Sequence, residues 1–248
     1  LFPFSAPFGG IAFKNHFVRA DECEAMVIAL KFYLNEENLS LSLTLSPDIY
    51  AGSVNAKLVS AYLQNGFKLE LPEITSALNL STFAGKFPAS SARAALKQSE
   101  KYSLSFKYEV DESSQLEAYN ATSINRKMLG RKVNMSFEDF KKVNAYSPVD
   151  FFSIRCADNE VLAGAVLYPM EGGIVLLATW GDTENGRSKR AMDFLFYQLI
   201  KHYQAQRFRY LDLGKSTNDG VPDSGLLRFK EGHGAESSLR YRISYQPK

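Results

Sequence analysis

A carboxylate and an ammonium group flank a polar loop near the carboxyl terminus of this sequence. Asp212 stands between two leucines in the apolar run YLDLG, and Lys230 follows in GLLRFKEGHG, a stretch with helical spacing. A lysine ammonium is a compact charge that can stabilise a phosphate or a developing oxyanion. A carboxylate can accept a proton during a reaction. The alternatives are a solvated lysine on a helix and an aspartate that pairs with a neighbouring basic group, and for Asp212 we favour the pairing.

The loop 214–220 between these residues is rich in hydrogen-bond donors. In open α/β sheets, ligands bind outside the carboxyl ends of the strands, which is where this loop is expected. The alternative is a plain turn composed of turn-forming residues. The loop residues predicted to bind substrate are Lys215, Ser216, Thr217 and Asn218.

A second polar segment, WGDTENGRSKR, joins a predicted strand to a predicted helix. Its basic residues Arg187, Lys189 and Arg190 stand at the helix start, where charge and the helix dipole together favour phosphate. A solvated basic helix start is the alternative. Trp180, at the beginning of the segment, could contact substrate or belong to the core.

The composition limits the chemistry. With 248 residues, 45% of them hydrophobic, the chain can bury a substantial core. The net charge of +2 gives no general attraction to nucleic acid or membrane surfaces. Two cysteines and three histidines lack metal-ligand spacing, so no metal site is expected. We also expect no permanently bound cofactor. Lone cysteines fit a reducing cytoplasm, and no apolar run has the length of a membrane span. The sequence starts at Leu1 without a Met, which leaves open whether a further segment precedes it.

The elements that must position these residues follow a definite order in the second half. Helical spacing at 111–130 and 136–146 precedes three apolar strands at 149–158, 160–170 and 173–182, joined by tight turns. A long helix at 188–206, the strand YLDLG, a short helix and a last strand at 237–245 complete it. A meander that leads into a β-α-β unit predicts an α/β fold with a mixed sheet.

This order resembles that of the GNAT superfamily of acyl-CoA N-acyltransferases, and the closing stretch is similar to its Fem-like branch. Those proteins have a (F/L)DFG strand, a polar loop, and a helix with L-x-x-F-K before a glycine pair. The matching residues here are Leu211–Gly214, Leu226, Phe229, Lys230 and Gly234. APFGG at 6–10 is similar to an SPFGG that recurs in acetyltransferase-like relatives of this branch. The resemblance covers about the last 115 residues well and the first 130 loosely.

The resemblance implies two GNAT-like subdomains around a cleft, the first incomplete, which we place at 1–112 and 113–248. It implies a cytoplasmic bacterial enzyme that transfers an acyl group from an acyl-CoA co-substrate to an amine acceptor, in cell-envelope or polysaccharide synthesis. The match would place Lys230 on the donor side of the reaction. Asp212 is the candidate base if it does not pair with a basic group. No covalent nucleophile is required for this chemistry.

Two rival functions remain open under the same resemblance. Fem-like proteins include aminoacyl-tRNA-dependent peptidyltransferases, although the net charge of +2 argues mildly against a tRNA partner. A non-catalytic binding module is the other rival. The segment 181–190 departs from the G-x-G/A pattern of acyl-CoA enzymes, which puts close backbone binding of CoA in doubt.

Overall fold

The computed structural model describes residues 8–14, 17–131, 133–218 and 220–247. The chain divides into two compact units. Unit 1 takes in the described residues of 1–76, 215–227 and 237–248, and unit 2 those of 77–214 and 228–236. These bounds differ from the predicted division at 112, and the assignment of two GNAT-like subdomains stays a prediction.

Unit 1 combines two long helices with a small antiparallel sheet. Its elements are α1 (Ala20–Glu36), β1 (Leu41–Thr44), α2 (Asp48–Gln64), β2 (Lys68–Leu69), β9 (Thr217–Asn218), β10 (Val221–Pro222) and β12 (Arg242–Tyr245). Strand β12 lies between β1 and β2, antiparallel to both. The unit has its own apolar core, which includes Val27, Leu58 and Tyr62. The APFGG motif falls partly outside the described residues, since Ala6 and Pro7 are not among them.

Unit 2 contains the meander and the long helix that the sequence predicts. Its elements are α3 (Ser90–Ser99), a 3₁₀ helix (Glu100–Tyr102), β4 (Ser105–Glu109), α4 (Glu112–Met128), α5 (Phe137–Asn144), β5 (Asp150–Arg155), β6 (Val161–Met170), β7 (Ile174–Asp182), α6 (Glu184–Ser188) and α7 (Ala191–Ala205). Four further elements continue along the chain from one unit into the other: β3 (Glu73–Asn79), β8 (Tyr210–Lys215), α8 (Ser224–Gly232) and β11 (Glu236–Arg240).

The large sheet is mixed, as predicted. Its seven strands have the order β11-β3-β8-β7-β6-β5-β4. Strands β4 to β7 are antiparallel neighbours, and β8 is parallel to β7. On one face, buried residues of α7 such as Leu195 and Leu199 pack on the sheet. On the other face, α4 and α5 contribute Tyr119 and Phe140 to a second cluster.

Two predicted elements differ from those in the structure. The helix predicted at 188–206 is α7, which begins only at Ala191, after Arg190 adopts a left-handed φ of 60°. The separate short helix α6 precedes it, and Thr183 caps α6 by accepting the Gly186 N–H. The strand predicted at 237–245 is β11 and β12, which belong to different sheets. The division of the strand depends on partners distant in sequence, β3 for β11 and both β1 and β2 for β12, which local periodicity does not report.

Candidate active site

Strands β7 and β8 run in parallel for three residues and then separate. The ladder pairs Ile174–Leu176 with Tyr210–Asp212, residue for residue. Beyond it, β7 continues to Asp182 with no further pair to β8 in the described part of the chain. The ladder therefore ends at Leu176 and Asp212, in the middle of the sheet.

A β-bulge interrupts β7 two residues after that point. Val166 of β6 is opposite Thr179 and Leu167 is opposite Leu177, so Ala178 is the extra residue. Ala178 packs against the cluster under α4 and α5, and Thr179 contacts α4 through its hydroxyl, so two successive side chains face the same side. Bulges re-aim backbone groups and are enriched beside active sites.

Asp212 lies on this same face of the sheet. Its neighbour in the ladder is Leu176, which in turn is opposite Tyr168 of β6. Tyr168 packs against the cluster that contains Phe140 of α5. Register partners in a sheet point to the same side. The carboxylate of Asp212 and the bulge therefore share the α4 and α5 face of the sheet, away from α7.

A chain of hydrogen bonds links the two residues that sequence reasoning singled out as catalytic. The carboxylate of Asp212 accepts the backbone N–H of Gly214 at 2.8 Å. The carbonyl of Gly214 accepts a hydrogen bond from the Lys230 ammonium at 2.9 Å. Gly214 has a φ of 65°, a conformation that glycine adopts without strain. The structure thus brings Asp212 and Lys230 to the same turn at the carboxyl end of β8.

Lys230 is one of the most buried side chains in unit 2. It is 1% exposed, so the alternative of a solvated helix lysine is wrong. Helix α8 turns this side chain inward while Arg228, two residues earlier, is exposed, as helical geometry requires. Burying an ammonium is costly unless hydrogen bonds compensate it, so the site holds this group in one place. The roles of Lys230 and Asp212 in catalysis stay predictions.

Arg126 of α4 is a candidate that sequence reasoning missed. Its Nε donates to the Thr179 hydroxyl at the bulge, over 3.3 Å. Burial, and then the charge of Arg131, lower the pKa of the Arg126 guanidinium. Ala118, Thr122 and Arg126 recur at four-residue spacing on one stripe of α4, but that stripe is recognised as inward only from the burial of Ala118 and Thr122 in the structure. An arginine on the inward stripe of a helix is unusual.

The glycines at the end of β7 and in α6 serve packing. A Cβ on Gly181 would lie 2.5 Å from the side chain of Asn125, and one on Gly186 would lie 1.9 Å from the carbonyl oxygen of Leu162. Both positions therefore require glycine because α4 and β6 approach so closely. This differs from a phosphate-binding loop, in which glycines let the ligand approach the backbone.

The basic residues of the segment 181–190 contact different parts of the protein. Arg187 forms an ion pair with Asp182 at 3.3 Å, and Arg190 hydrogen-bonds Gln98 of α3, also at 3.3 Å. Asp182 is buried, and burial raises the pKa of its carboxyl group. A carboxylate beside Arg187 opposes a second anion there. Phosphate binding by Arg187, Lys189 and Arg190 stays a prediction.

Trp180 lies on the face of the sheet opposite Asp212. Its ring contacts Phe196 of α7 and Phe229 of α8 edge-on, with ring centroids 5.5 and 5.6 Å apart. His233 joins this aromatic group and hydrogen-bonds the buried carboxylate of Asp193 at 2.9 Å. These contacts favour the core role for Trp180, and its contact with substrate stays a prediction.

Within unit 1, one of the predicted loop residues, Lys215, binds a buried glutamate. Lys215 binds one carboxylate oxygen of Glu73 at 2.9 Å, and Arg240 binds the other. Burial tends to raise the pKa of Glu73, but the hydrogen bonds and charges of Arg240 and Lys215 outweigh it and hold the pKa below its ordinary value. Ser216 lies 3.4 Å from Ser76, oxygen to oxygen.

The two remaining loop residues form a small hairpin, in which Asn218 is opposite Val221 and Thr217 is opposite Pro222. Substrate contact by the four loop residues stays a prediction. Among the residues that the structure describes, no group of three His, Cys, Asp or Glu side chains could hold a metal ion. Both cysteines are free thiols. None of the described helices has the length and apolar character needed to cross a membrane.

No family model matches the sequence, and no curated protein does. Solved structures do share its fold. FemX superposes with a TM-score of 0.69 at 13% identity, over 92% of this chain and 77% of FemX. L-PGS from Bacillus licheniformis gives a TM-score of 0.63 at 14% identity, over 92% of this chain and 74% of L-PGS.

A third similar structure is the C-terminal DUF2156 domain of a protein assigned as a lysylphosphatidylglycerol synthetase, from Agrobacterium fabrum. Its TM-score is 0.63 at 15% identity, over 90% of this chain and 73% of that domain. At such identities the likeness concerns the fold. The resemblance in the strand, loop and helix from Leu211 to Lys230 and the superposition over most of the chain agree, so this chain has the fold of the Fem-like GNAT proteins.

Proposed function

We propose that this chain is an acyltransferase, which moves an acyl group from an activated donor to an amine. The separation of β7 and β8 at Leu176 and Asp212 carries the proposal. It opens the middle of the sheet on the face that holds the bulge at Ala178 and the carboxylate of Asp212. Lys230 is fixed at the same turn by its bond to Gly214.

Each group has a role that suits this reaction. The amine nitrogen bonds to the acyl carbon, and the bond from that carbon to the sulfur or oxygen of the donor breaks. Negative charge develops on the acyl oxygen, and N–H groups of the bulge together with the Lys230 ammonium are the donors that would stabilise it. Asp212, directly or through a water molecule, would take the proton released by the amine.

In the first form of the proposal, the acyl donor is an acyl-CoA, and its phosphates bind to Arg187, Lys189 and Arg190. A second form uses an aminoacyl-tRNA, and the packing glycines Gly181 and Gly186 favour it, because they leave no open glycine loop for a pyrophosphate. The name lysylphosphatidylglycerol synthetase denotes a product with a lysyl group on a lipid, which supports aminoacyl groups as a class to test.

Thermal unfolding with a panel of donors tests the proposal. A ligand that binds only the native state raises the unfolding temperature. We expect stabilisation by acetyl-CoA or longer acyl-CoAs beyond that of free CoA, or by an aminoacyl-tRNA beyond that of the deacylated tRNA. Either result shows which class of donor the protein binds. Equal response to acylated and free carriers would support a binding module, and no response to any donor would contradict the proposal.

A further inference from the structure

Two threonine hydroxyls in unit 1 are buried in an unusual way. Thr75 of β3 is 2% exposed and Thr217 of β9 is 6% exposed. Neither Oγ1 has a hydrogen-bond partner among the residues that the structure describes. Buried polar groups in native proteins are nearly always satisfied, by protein, water or ligand. Two such hydroxyls on neighbouring segments indicate a place for a polar group that comes from outside the chain.

The two hydroxyls lie on the same side of the sheet. The N–H of Ser216 donates to the carbonyl of Ile74 at 2.7 Å, so 74–76 and 215–217 are adjacent. The Ser76 and Ser216 hydroxyls meet on one face. Side chains alternate along an extended strand, so Thr75 and Thr217 point to the other face.

That other face also carries charge. Glu73, two residues before Thr75, shares its side of β3 and binds Lys215, two residues before Thr217. Arg240 binds the second oxygen of Glu73. The Lys215 side chain is 46% exposed, so its ammonium is accessible from solvent while it contacts Glu73. Hydroxyl donors and an accessible ammonium are the groups that bind an oxyanion.

We propose that Thr75, Thr217 and Lys215 form a binding site for an oxyanion, either a phosphate or a carboxylate, beside Glu73. The oxygens of the anion would accept hydrogen bonds from both hydroxyls and from the Lys215 ammonium. Glu73 holds Lys215 in place, and its single negative charge is outnumbered by the positive charges of Lys215 and Arg240. This group therefore keeps one net positive charge, unlike the one-to-one pair of Arg187 and Asp182. The inference concerns binding alone, so it does not depend on acyl transfer.

Titration of the whole chain with inorganic phosphate and, separately, with acetate tests the site, with backbone NMR shifts as the readout. We expect saturable shifts at 75 and 215–217. Thr217→Val removes one hydroxyl at constant shape and should weaken binding roughly fivefold to tenfold, and Lys215→Gln should weaken it about tenfold or more. Binding of phosphate alone identifies a phosphoryl group, and binding of acetate alone a carboxylate.

The matched control is Thr122→Val, which removes a buried hydroxyl that does have a partner, the carbonyl of Tyr119. It should lower the unfolding temperature and leave anion binding unchanged, whereas Thr217→Val in the absence of anion should leave the unfolding temperature unchanged or raise it. No saturable shift with either anion would overturn the proposal. So would equal affinities in wild type, Thr217→Val and Lys215→Gln.

Discussion

The Lys230 ammonium donates a hydrogen bond to the Gly214 carbonyl, 2.9 Å away, from a side chain that is 1% exposed. This contact ties α8 to the end of β8, at the point where β8 and β7 separate. It also fixes the position of a positive charge beside the Asp212 turn. A group held in this way needs little free energy to reorganise during a reaction. This is the condition for electrostatic stabilisation of a transition state.

Replacement of Lys230 should therefore affect both stability and turnover. Lys230→Met keeps the buried stem but leaves the Gly214 carbonyl without this donor, so we expect a loss of about 1–3 kcal/mol in the free energy of unfolding. Turnover should fall about a hundredfold or more if the charge acts in the transition state. Lys230→Arg keeps the charge with a different donor geometry, so partial rescue is expected.

Denaturant unfolding and steady-state kinetics measure these two effects. Lys97→Met on the exposed side of α3 is the matched control and should change neither. A Lys230→Met protein with wild-type turnover would remove Lys230 from the reaction, whatever its stability.

Gly164 should be intolerant of any side chain. A Cβ at this position of β6 would lie 2.0 Å from the Ala118 carbonyl oxygen of α4. Gly164→Ala must push α4 from the sheet and should cost about 1–3 kcal/mol or more in the free energy of unfolding. Gly225→Ala, where the nearest atom to a Cβ is 3.5 Å away, is the control and should be nearly neutral. Equal unfolding midpoints for the two variants would show that α4 does not pack as described.

The segment 181–190 is predicted to bind the phosphates of a donor. Replacement of both Arg187 and Lys189 by Ala should weaken binding of a phosphate-bearing donor by about 1–3 kcal/mol, the range for hydrogen bonds to charged groups. Because Arg187 pairs with Asp182, the Lys189→Ala single variant should show the larger share of the effect. Calorimetric titration with the donor found by thermal unfolding measures it, and unchanged affinity in the double variant would refute the prediction.

His202 should make the free energy of unfolding depend on pH. Rings of Phe106, Tyr108, Phe152 and Tyr203 surround its imidazole. Burial lowers the pKa of His202, and the nearby Asp150 only partly offsets this. The unfolded chain therefore binds the proton more readily than the folded one.

The contribution of His202 to the free energy of unfolding is fully present above about pH 6.5, the pKa of histidine in the unfolded chain. This contribution is lost as the pH falls from there through the lower pKa that His202 has in the folded protein. In His202→Gln, the free energy of unfolding should fall less than in wild type between pH 7 and about pH 5.5. Parallel curves for the two proteins over this range would contradict the prediction.

Much of the fold could be predicted because its signals are local. The strands at β5, β6 and β7 are apolar runs separated by short turns, and the α7 helix has a continuous apolar stripe. These patterns give the meander and the mixed sheet. The YLDLG strand and the L-x-x-F-K helix pointed to Asp212 and Lys230 through a resemblance, which the superposition on FemX supports at the level of fold.

The burial of Lys230 could not be predicted, because it depends on where the left-handed Gly214 directs its carbonyl. The bulge at Ala178 could not be predicted either, because it arises from the register between two strands and not from the sequence of either strand. Arg126 was missed because its partner, Thr179, lies 53 residues away along the chain. Each of these features is a long-range relationship.

Transfer of a labelled acyl group tests the central claim most directly. Wild type, Lys230→Met, Asp212→Asn and the Lys97→Met control would each be incubated with radiolabelled acetyl-CoA or aminoacyl-tRNA and a mixture of amine acceptors, namely amino sugars, aminolipids and peptides. We expect wild type and Lys97→Met to move label from one donor class to an amine, and the two site variants to do so about a hundredfold more slowly or not at all. Equal rates in wild type and both site variants, or no transfer above the blank with either donor class, would contradict the account.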